Sequence, residues 1–192
     1  MSSLPTEIGK LSNLRTFHLE NNQLISLPVE IGQLNNLQNF NLYGNQLSSL
    51  PSEFAKLSNL QILILSNNHL NTLSKEILQL VNLQYLEFSR NRLTILPTEI
   101  GQLSNLQNLD LSKNRLTALP TEIEQLANLQ SLDLYNNRLI NLPETIKKLT
   151  KLEKLDLRRN QVPIPREILA KDELYNEPGN VKEILEFYFR SN

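Results

Sequence analysis

Residues 106–128 read LQNLDLSKNRLTALPTEIEQLAN. The same pattern of leucines recurs along most of the 192-residue chain. Its first leucine falls at every twenty-third position, at Leu14, Leu37, Leu60, Leu83, Leu106, Leu129 and Leu152. A fixed period of this length is typical of repeat arrays, in which each unit buries its leucines only by stacking on its neighbours. The period therefore predicts an elongated solenoid.

Each unit begins with a strand pattern. Leu109 and Leu111 are two residues apart, so both point to the same side of a short strand and the residue between them points outward. An asparagine follows three residues after the second leucine, as at Asn114. A side-chain amide at this position can bond the backbone where the chain turns off the strand, and we expect stacked copies to form a ladder.

The second half of each unit has a helical pattern. Pro97 suits a first helical position, and Glu99 then faces the positive end of the helix. Ile100 and Leu103 are three residues apart and share one apolar side, which we expect to face the core. Ser74 stands where other units have proline, so we expect that turn to be less fixed.

These motifs, L-x-x-L-x-L-x-x-N-x-L followed by L-P-x-E-I-x-x-L, resemble those of leucine-rich repeat proteins of the 23-residue intracellular and bacterial subclass. The resemblance covers Leu4 to about Ile168. It implies an α/β solenoid: a curved array with a parallel concave sheet, short convex helical turns and a C-terminal capping helix. We expect the solenoid to occupy residues 1–168, as a half repeat plus seven repeats, the last one shortened.

Residues 169–192 are expected to form a cap or linker, with a polar, turn-rich joint over 171–179 and a helix over about 181–189. Asn180 and Glu183 have capping-box spacing, and the apolar residues that follow share one helical face. Such a helix would shield the open leucines of the last repeat. The stretch from Ile164 to Leu169, followed by Gly179 to Phe189, also resembles the segment that joins leucine-rich repeats to the GTPase module of bacterial Roco-type proteins.

Composition excludes several classes of function. The formal charge is −1, from 19 basic and 20 acidic residues, which argues against nucleic acid as a partner. There is no cysteine, only two histidines, and no phosphate-binding or hydrolase motif, so we expect neither an enzyme nor a cofactor. No secretory signal or membrane-spanning run is visible, so the sequence favours a cytoplasmic protein with no membrane partner.

The outward strand positions contain an apolar group. Ile62 and Ile64 are both expected on the concave side of the third strand, beside Tyr85 on the fourth and near Tyr43, while Tyr135 extends the theme toward the C-terminus. Grouped apolar residues on one exposed face indicate a contact surface. The alternative is that parallel strands simply favour Ile and Tyr at these positions.

A second outward column is charged. Between the second and third leucines of successive repeats stand His18, Asn41, Ile64, Glu87, Asp110, Asp133 and Asp156. Basic residues, including Arg90 and Lys113, follow three positions later. One interpretation is a charged rim for a partner, and the other is a solvated ladder whose charges neutralise each other. The Asp column lacks the converging shell of ligands that a metal site needs.

The sequence thus predicts a non-catalytic module that binds another protein on its concave face. The alternative is the sensing or regulatory region of a Roco-like GTPase whose catalytic domain lies outside this chain. A secreted ligase effector is disfavoured, because such enzymes resemble a repeat array joined to a cysteine-bearing domain. At the N-terminus, Leu4 to Ile8 form only half a repeat, so the uncapped edge invites self-association.

Overall fold

The computed structural model describes residues 1–170 and 177–191. It contains one parallel sheet in which the strands lie in chain order. Each strand is three residues long and pairs with the next in a register shifted by one repeat, so that Leu109 lies between Leu86 and Leu132. The strands are β1 (Thr16–His18), β2 (Asn39–Asn41), β3 (Ile62–Ile64), β4 (Tyr85–Glu87), β5 (Asn108–Asp110), β6 (Ser131–Asp133) and β7 (Lys154–Asp156).

Short helical turns line the opposite, convex side. Six are 3-10 helices, at Thr6–Lys10, Val29–Gln33, Ser52–Lys56, Thr98–Gln102, Thr121–Gln125 and Glu144–Lys148. The exception is α1 (Lys75–Leu78), in the repeat where Ser74 replaces proline. The prediction that proline occupies the first helical position was wrong. Pro97 precedes the helix in an extended conformation, and its carbonyl accepts the Ile100 N–H at 3.1 Å.

The core lies between the sheet and the convex turns. Leu109 and Leu132 are 1% exposed, and Ile100 and Leu103 are fully buried, so the predicted register is confirmed. Phenylalanine replaces leucine at Phe17 and Phe40, whose rings stack across two repeats with 5.5 Å between centroids, and Phe40 also stacks on Phe54 of its own repeat at 6.0 Å. Burial of these side chains supplies most of the stability of the solenoid.

The asparagine column forms the predicted ladder. The Asn114 amide nitrogen donates to the carbonyl oxygens of Leu111 and Phe88, both at 3.0 Å. Its side-chain oxygen accepts the N–H of Leu93, in the preceding repeat, at 3.0 Å. Each side chain therefore satisfies three backbone groups drawn from two repeats. The pattern recurs at Asn45, Asn68, Asn91, Asn137 and Asn160.

A second asparagine ladder, which the sequence analysis did not predict, runs along the surface just before the strands. The Asn105 amide donates to the Val81 carbonyl of the preceding repeat at 2.9 Å. Equivalent bonds are made by Asn36, Asn59, Asn82 and Asn128. These side chains are largely exposed, so each of their hydrogen bonds contributes less to stability than a hydrogen bond of the buried asparagine ladder does.

The C-terminal end is covered by a helix. After α2 (Arg166–Leu169), the chain reaches α3 (Val181–Ser191), at the place where the sequence predicts a helix over about 181–189. The Asn180 side chain accepts the Glu183 N–H at 3.2 Å, as the capping-box spacing predicts. A Cβ at Gly179 would collide with the Ile168 carbonyl oxygen, so this close approach requires glycine. The predicted joint over 171–179 lies largely outside the described residues.

Helix α3 packs against the last repeats through its apolar side. Ile184 is fully buried, and the Tyr188 hydroxyl accepts the buried Leu142 N–H at 3.0 Å. The Lys147 ammonium lies over the Phe189 ring, 4.1 Å from its centroid. None of the helices in residues 1–170 and 177–191 is long and apolar enough to cross a membrane.

The N-terminal edge is open by comparison. Strand β1 has a neighbour on one side only, and Phe17 is partly exposed although its ring stacks on Phe40. Residues before the first 3-10 helix cover a small part of this edge, where the Met1 carbonyl accepts the Gln23 N–H at 3.0 Å.

The bond between Tyr188 and Leu142 predicts how much α3 contributes to stability. Replacing Tyr188→Phe leaves a buried backbone N–H without this partner, and we expect the free energy of unfolding in urea to fall by about 1–3 kcal/mol. Tyr43→Phe is the matched control, because the Tyr43 hydroxyl forms no hydrogen bond with residues 1–170 or 177–191. This substitution should change the free energy of unfolding by less than about 0.5 kcal/mol. Equal effects of the two substitutions would show that α3 is not held in this way.

Candidate functional site

Each strand of the sheet presents two residues on the concave face, its first and its third. The first positions form one column, Thr16, Asn39, Ile62, Tyr85, Asn108, Ser131 and Lys154. The third positions form the column that the sequence predicts, from His18 to Asp156. Because the strands are in register, residues of one column are direct neighbours about 4.8 Å apart.

The apolar group comprises Tyr43, Ile62, Ile64 and Tyr85. Ile62 and Ile64 lie on β3, Tyr85 lies on β4, and Tyr43 lies two residues past the end of β2. Ile62 pairs with Tyr85, and Ile64 lies between Asn41 and Glu87. These side chains were expected to be exposed, but they are half-buried. Ile62, Ile64 and Tyr85 are therefore neighbours on a shallow apolar floor of the sheet.

Tyr85 and Tyr43 are each tied to the third-position column. The Tyr85 hydroxyl donates to a Glu87 carboxylate oxygen at 3.4 Å. Burial raises the pKa of Tyr85, and the nearby carboxylates of Glu87 and Asp110 raise it further. The Tyr43 N–H donates to the Asn41 side chain at 3.0 Å. The Tyr85 hydroxyl is therefore directed toward the third-position column, whereas the Tyr43 bond fixes the backbone of that residue.

The acidic column has a structural role that sequence reasoning missed. Asp110 accepts the Ser112 N–H at 2.8 Å, and Asp133 accepts the Tyr135 N–H at the same distance. Each carboxylate thereby caps the turn that ends its strand. The Ile64 side chain has no acceptor for such a bond. In the repeat with Glu87, the Ser89 N–H donates to the buried Ser66 hydroxyl instead of to the Glu87 carboxylate, at 2.9 Å.

Of these carboxylates, Asp133 has the pKa that lies furthest from its ordinary value. Its burial, together with the charges of Asp110 and Asp156 on the flanking strands, raises its pKa to about 6. The Tyr135 N–H and the Arg158 guanidinium oppose this effect without cancelling it. Within residues 1–170 and 177–191, no three His, Asp or Glu side chains are grouped as metal ligands.

The basic residues occupy a left-handed turn position, three residues past the acidic column. Arg90 and Lys113 have φ of 53°, and Gly44 has φ of 66° at the equivalent place. This conformation costs a non-glycine residue about 1 kcal/mol, and the asparagine ladder next to it holds the turn. The aligned repeats do carry a signal of this conformation, because glycine or asparagine occupies the equivalent position at Asn21, Gly44, Asn67 and Asn136.

The acidic and basic residues of this face do not form the ladder of mutually neutralising charges that was one interpretation of the sequence. In the described part of the chain, neither Arg90 nor Lys113 forms an ion pair with Glu87 or Asp110. The ion pair present instead joins Arg158 to Asp156, whose carboxylate accepts the guanidinium Nε–H at 2.9 Å. This hydrogen bond raises the pKa of Arg158.

Tyr135 is surrounded by cations. The Lys113 ammonium lies 5.8 Å from the ring centroid, and the guanidinium carbons of Arg158 and Arg159 lie at 5.6 and 5.4 Å. Since Tyr135 follows β6, it is two strands from Tyr85 on β4 and does not join the apolar group. The predicted site residues therefore form two neighbouring parts: the apolar group with Glu87, and a charged part with Arg90, Asp110, Lys113, Asp133 and Tyr135.

Comparison with known proteins identifies the repeat. The family model described as a leucine-rich repeat region matches residues 2–74 and 66–171. A search of the curated proteins finds no match.

Three solved structures show the same architecture. A leucine-rich repeat protein of Leptospira interrogans is 39% identical, with a TM-score of 0.74, over 86% of this chain and 48% of that one. An internalin from Listeria monocytogenes is 28% identical, with a TM-score of 0.75, over 84% and 46%. A plant peptide hormone receptor, solved in complex with RGF2, is 30% identical, with a TM-score of 0.67, over 86% and 32%. The chain thus spans less than half the length of each.

The raised pKa of Asp133 predicts a pH dependence of stability. The folded state binds this proton more tightly than the unfolded chain, in which the pKa of Asp is about 3.9. The Asp133 contribution to the unfolding free energy therefore falls as pH rises from about 4 to about 6, by about 1–2 kcal/mol after allowance for solvent screening.

Urea unfolding at several pH values checks this prediction. Asp133→Asn should remove the fall, because the amide keeps the bond to the Tyr135 N–H but does not titrate, whereas the control Glu99→Gln on a convex turn should retain it. An identical slope in wild type and Asp133→Asn would contradict the assignment.

Proposed function

Because the chain belongs to the leucine-rich repeat family, we propose that it is a non-catalytic module that binds a protein partner on its concave face. The observation that carries this proposal is the apolar group, Tyr43, Ile62, Ile64 and Tyr85, on an open sheet whose other outward positions are mostly polar. In the plant peptide hormone receptor, a solenoid of the same family is in complex with RGF2.

The apolar group suits the centre of an interface. Its side chains are half-buried, so a partner can complete their burial without first moving them. Aromatic and β-branched anchors of this kind dominate binding energy when they become fully desolvated. The bond from Tyr85 to Glu87 limits the rotamers of the ring, which lowers the entropy lost on binding.

The charged part suits the rim. Glu87, Arg90, Asp110 and Lys113 lie next to the apolar group, and Asp133 and Tyr135 extend the surface toward the C-terminus. Charged groups at a rim orient the partner and accelerate encounter more than they add affinity. The open β1 edge supports a weaker proposal, self-association, which the oligomeric state at increasing protein concentration tests.

A second candidate function comes from the C-terminal segment. Residues 164–169 and 179–189 resemble the joint between leucine-rich repeats and the GTPase module of Roco-type proteins, and the second stretch lies mostly in α3, which is docked on the repeats through Tyr188. We propose, as the alternative, that the solenoid senses a ligand for such a GTPase. The coding sequence beyond Asn192 tests it directly: a GTPase module there supports the alternative, and its absence removes it.

The double variant Ile64→Asp and Tyr85→Ala tests the concave-face proposal. It places a charge in the apolar floor and removes the ring beside it, so retention of a partner from native lysate should fall at least about tenfold. Ile95→Asp with Ile140→Ala is the matched control, because both isoleucines are highly exposed and lie outside the strands.

Circular dichroism and urea midpoints must show that both proteins fold. Full retention of the partner by a folded Ile64→Asp and Tyr85→Ala protein would contradict the proposal and direct attention to the convex turns or α3.

A further inference from the structure

We infer that the partner binds the concave face through a segment that places a lysine or arginine on Asp110 and Asp133 and an apolar side chain on the apolar group. The inference rests on the proposed function, which gives the face but not the chemistry of its partner. It follows from the hydrogen bonds, the ion pairs and the spacing of the outward residues.

Asp110 and Asp133 have unused capacity to accept hydrogen bonds. One oxygen of each is bonded, to the N–H of Ser112 and Tyr135 respectively. These are the only hydrogen bonds to the two carboxylates within the described residues, and a carboxylate has further lone pairs that accept strongly from an ammonium or guanidinium group. The two residues pair across β5 and β6, so one cation can contact both carboxylates.

Nearby cations of the protein are engaged elsewhere. The Arg158 guanidinium donates through two nitrogens to Asp156, which is 7% exposed. Lys113 lies toward the ring of Tyr135 rather than in an ion pair with Asp110. The acidic column from Glu87 to Asp133 therefore presents net negative charge on the side facing the first-position column, where Asn108 and Ser131 are neutral.

Repulsion among the carboxylates favours a bound cation. Asp133 has like-charged neighbours on both flanking strands, and burial together with these neighbours raises its pKa to about 6. A partner cation would offset that repulsion and hold Asp133 ionised. The geometry of the column and the remaining lone pairs of the two carboxylates point to the same ligand independently of this titration.

The distances between the apolar group and the two aspartates predict how far apart the partner's apolar and basic side chains are. Ile64 on β3 is two strands from Asp110 and three from Asp133, which corresponds to about 10 and 14 Å. An extended chain advances about 3.4 Å per residue, and residues four apart point to the same side. A segment running across the strands would therefore carry its apolar and basic side chains four residues apart.

The protein itself contains a neutral version of the acidic position. Asn41 occupies the same column and accepts the Tyr43 N–H at 3.0 Å, as Asp110 and Asp133 do for their own turns. The double variant Asp110→Asn and Asp133→Asn should therefore keep both turns while removing two charges. It separates electrostatic recognition from the structural role of the column.

The experiment selects ligands from a displayed library of random dodecapeptides on the full chain. Recovered peptides that require Ile64 and Tyr85 should carry an apolar residue and a lysine or arginine four positions apart. At low salt they should bind the Asp110→Asn and Asp133→Asn protein at least about tenfold more weakly, and the deficit should shrink at high salt. Glu99→Gln with Glu122→Gln on the convex turns removes the same charge and should leave affinity unchanged.

The outcomes separate this inference from the proposed function. Peptides that require Ile64 and Tyr85 but are neutral or acidic, or that bind the Asp110→Asn and Asp133→Asn protein equally well, would overturn the inference and leave the proposed function standing. Failure to recover any peptide that depends on Ile64 and Tyr85 would overturn both.

Discussion

The buried asparagine ladder is the interaction on which the rest of the structure depends. One amide, as at Asn114, binds two carbonyl groups and one N–H that belong to two successive repeats. These backbone groups are buried at the turn and would be costly to leave unpaired. The ladder therefore fixes where each strand ends and how one repeat sits on the next. A constant period keeps this arrangement, and leucine burial then stabilises it.

The concave surface follows from this constraint. Once each turn is fixed, the first and third residues of every strand stack in columns, and the sequence is free to vary only their chemistry. The third column shows both uses of one position. Asn41, Asp110 and Asp133 all accept the N–H two residues further along and so cap the turn after their strand, whereas the Ile64 side chain has no acceptor for that bond and contributes apolar surface instead. The proposed recognition surface thus includes residues that also serve the fold.

The sequence predicts the repeated features well and the individual contacts poorly. Strand register, the buried leucines and the Asn114 ladder follow from period and hydrogen-bonding chemistry alone. The half-burial of Ile64 and the ion pair of Arg158 with Asp156 do not, because they depend on the rotamers of side chains in neighbouring repeats. The left-handed turn at Lys113 is not evident from that residue type, but Gly44 and Asn67 at the equivalent position of other repeats indicate it.

The most direct test of this account compares an internal rung with the edge rung of the ladder. Asn114 satisfies buried backbone groups of two repeats, whereas the Asn22 amide nitrogen donates only to the Leu19 and Glu20 carbonyls of its own repeat, and its oxygen accepts only from the exposed Met1 amino group, at 3.3 Å. In urea unfolding, Asn114→Ala should lower the free energy of unfolding by about 3–5 kcal/mol and Asn22→Ala by about 1 kcal/mol. Equal losses, or a larger loss at Asn22, would contradict the claim that the ladder couples the repeats.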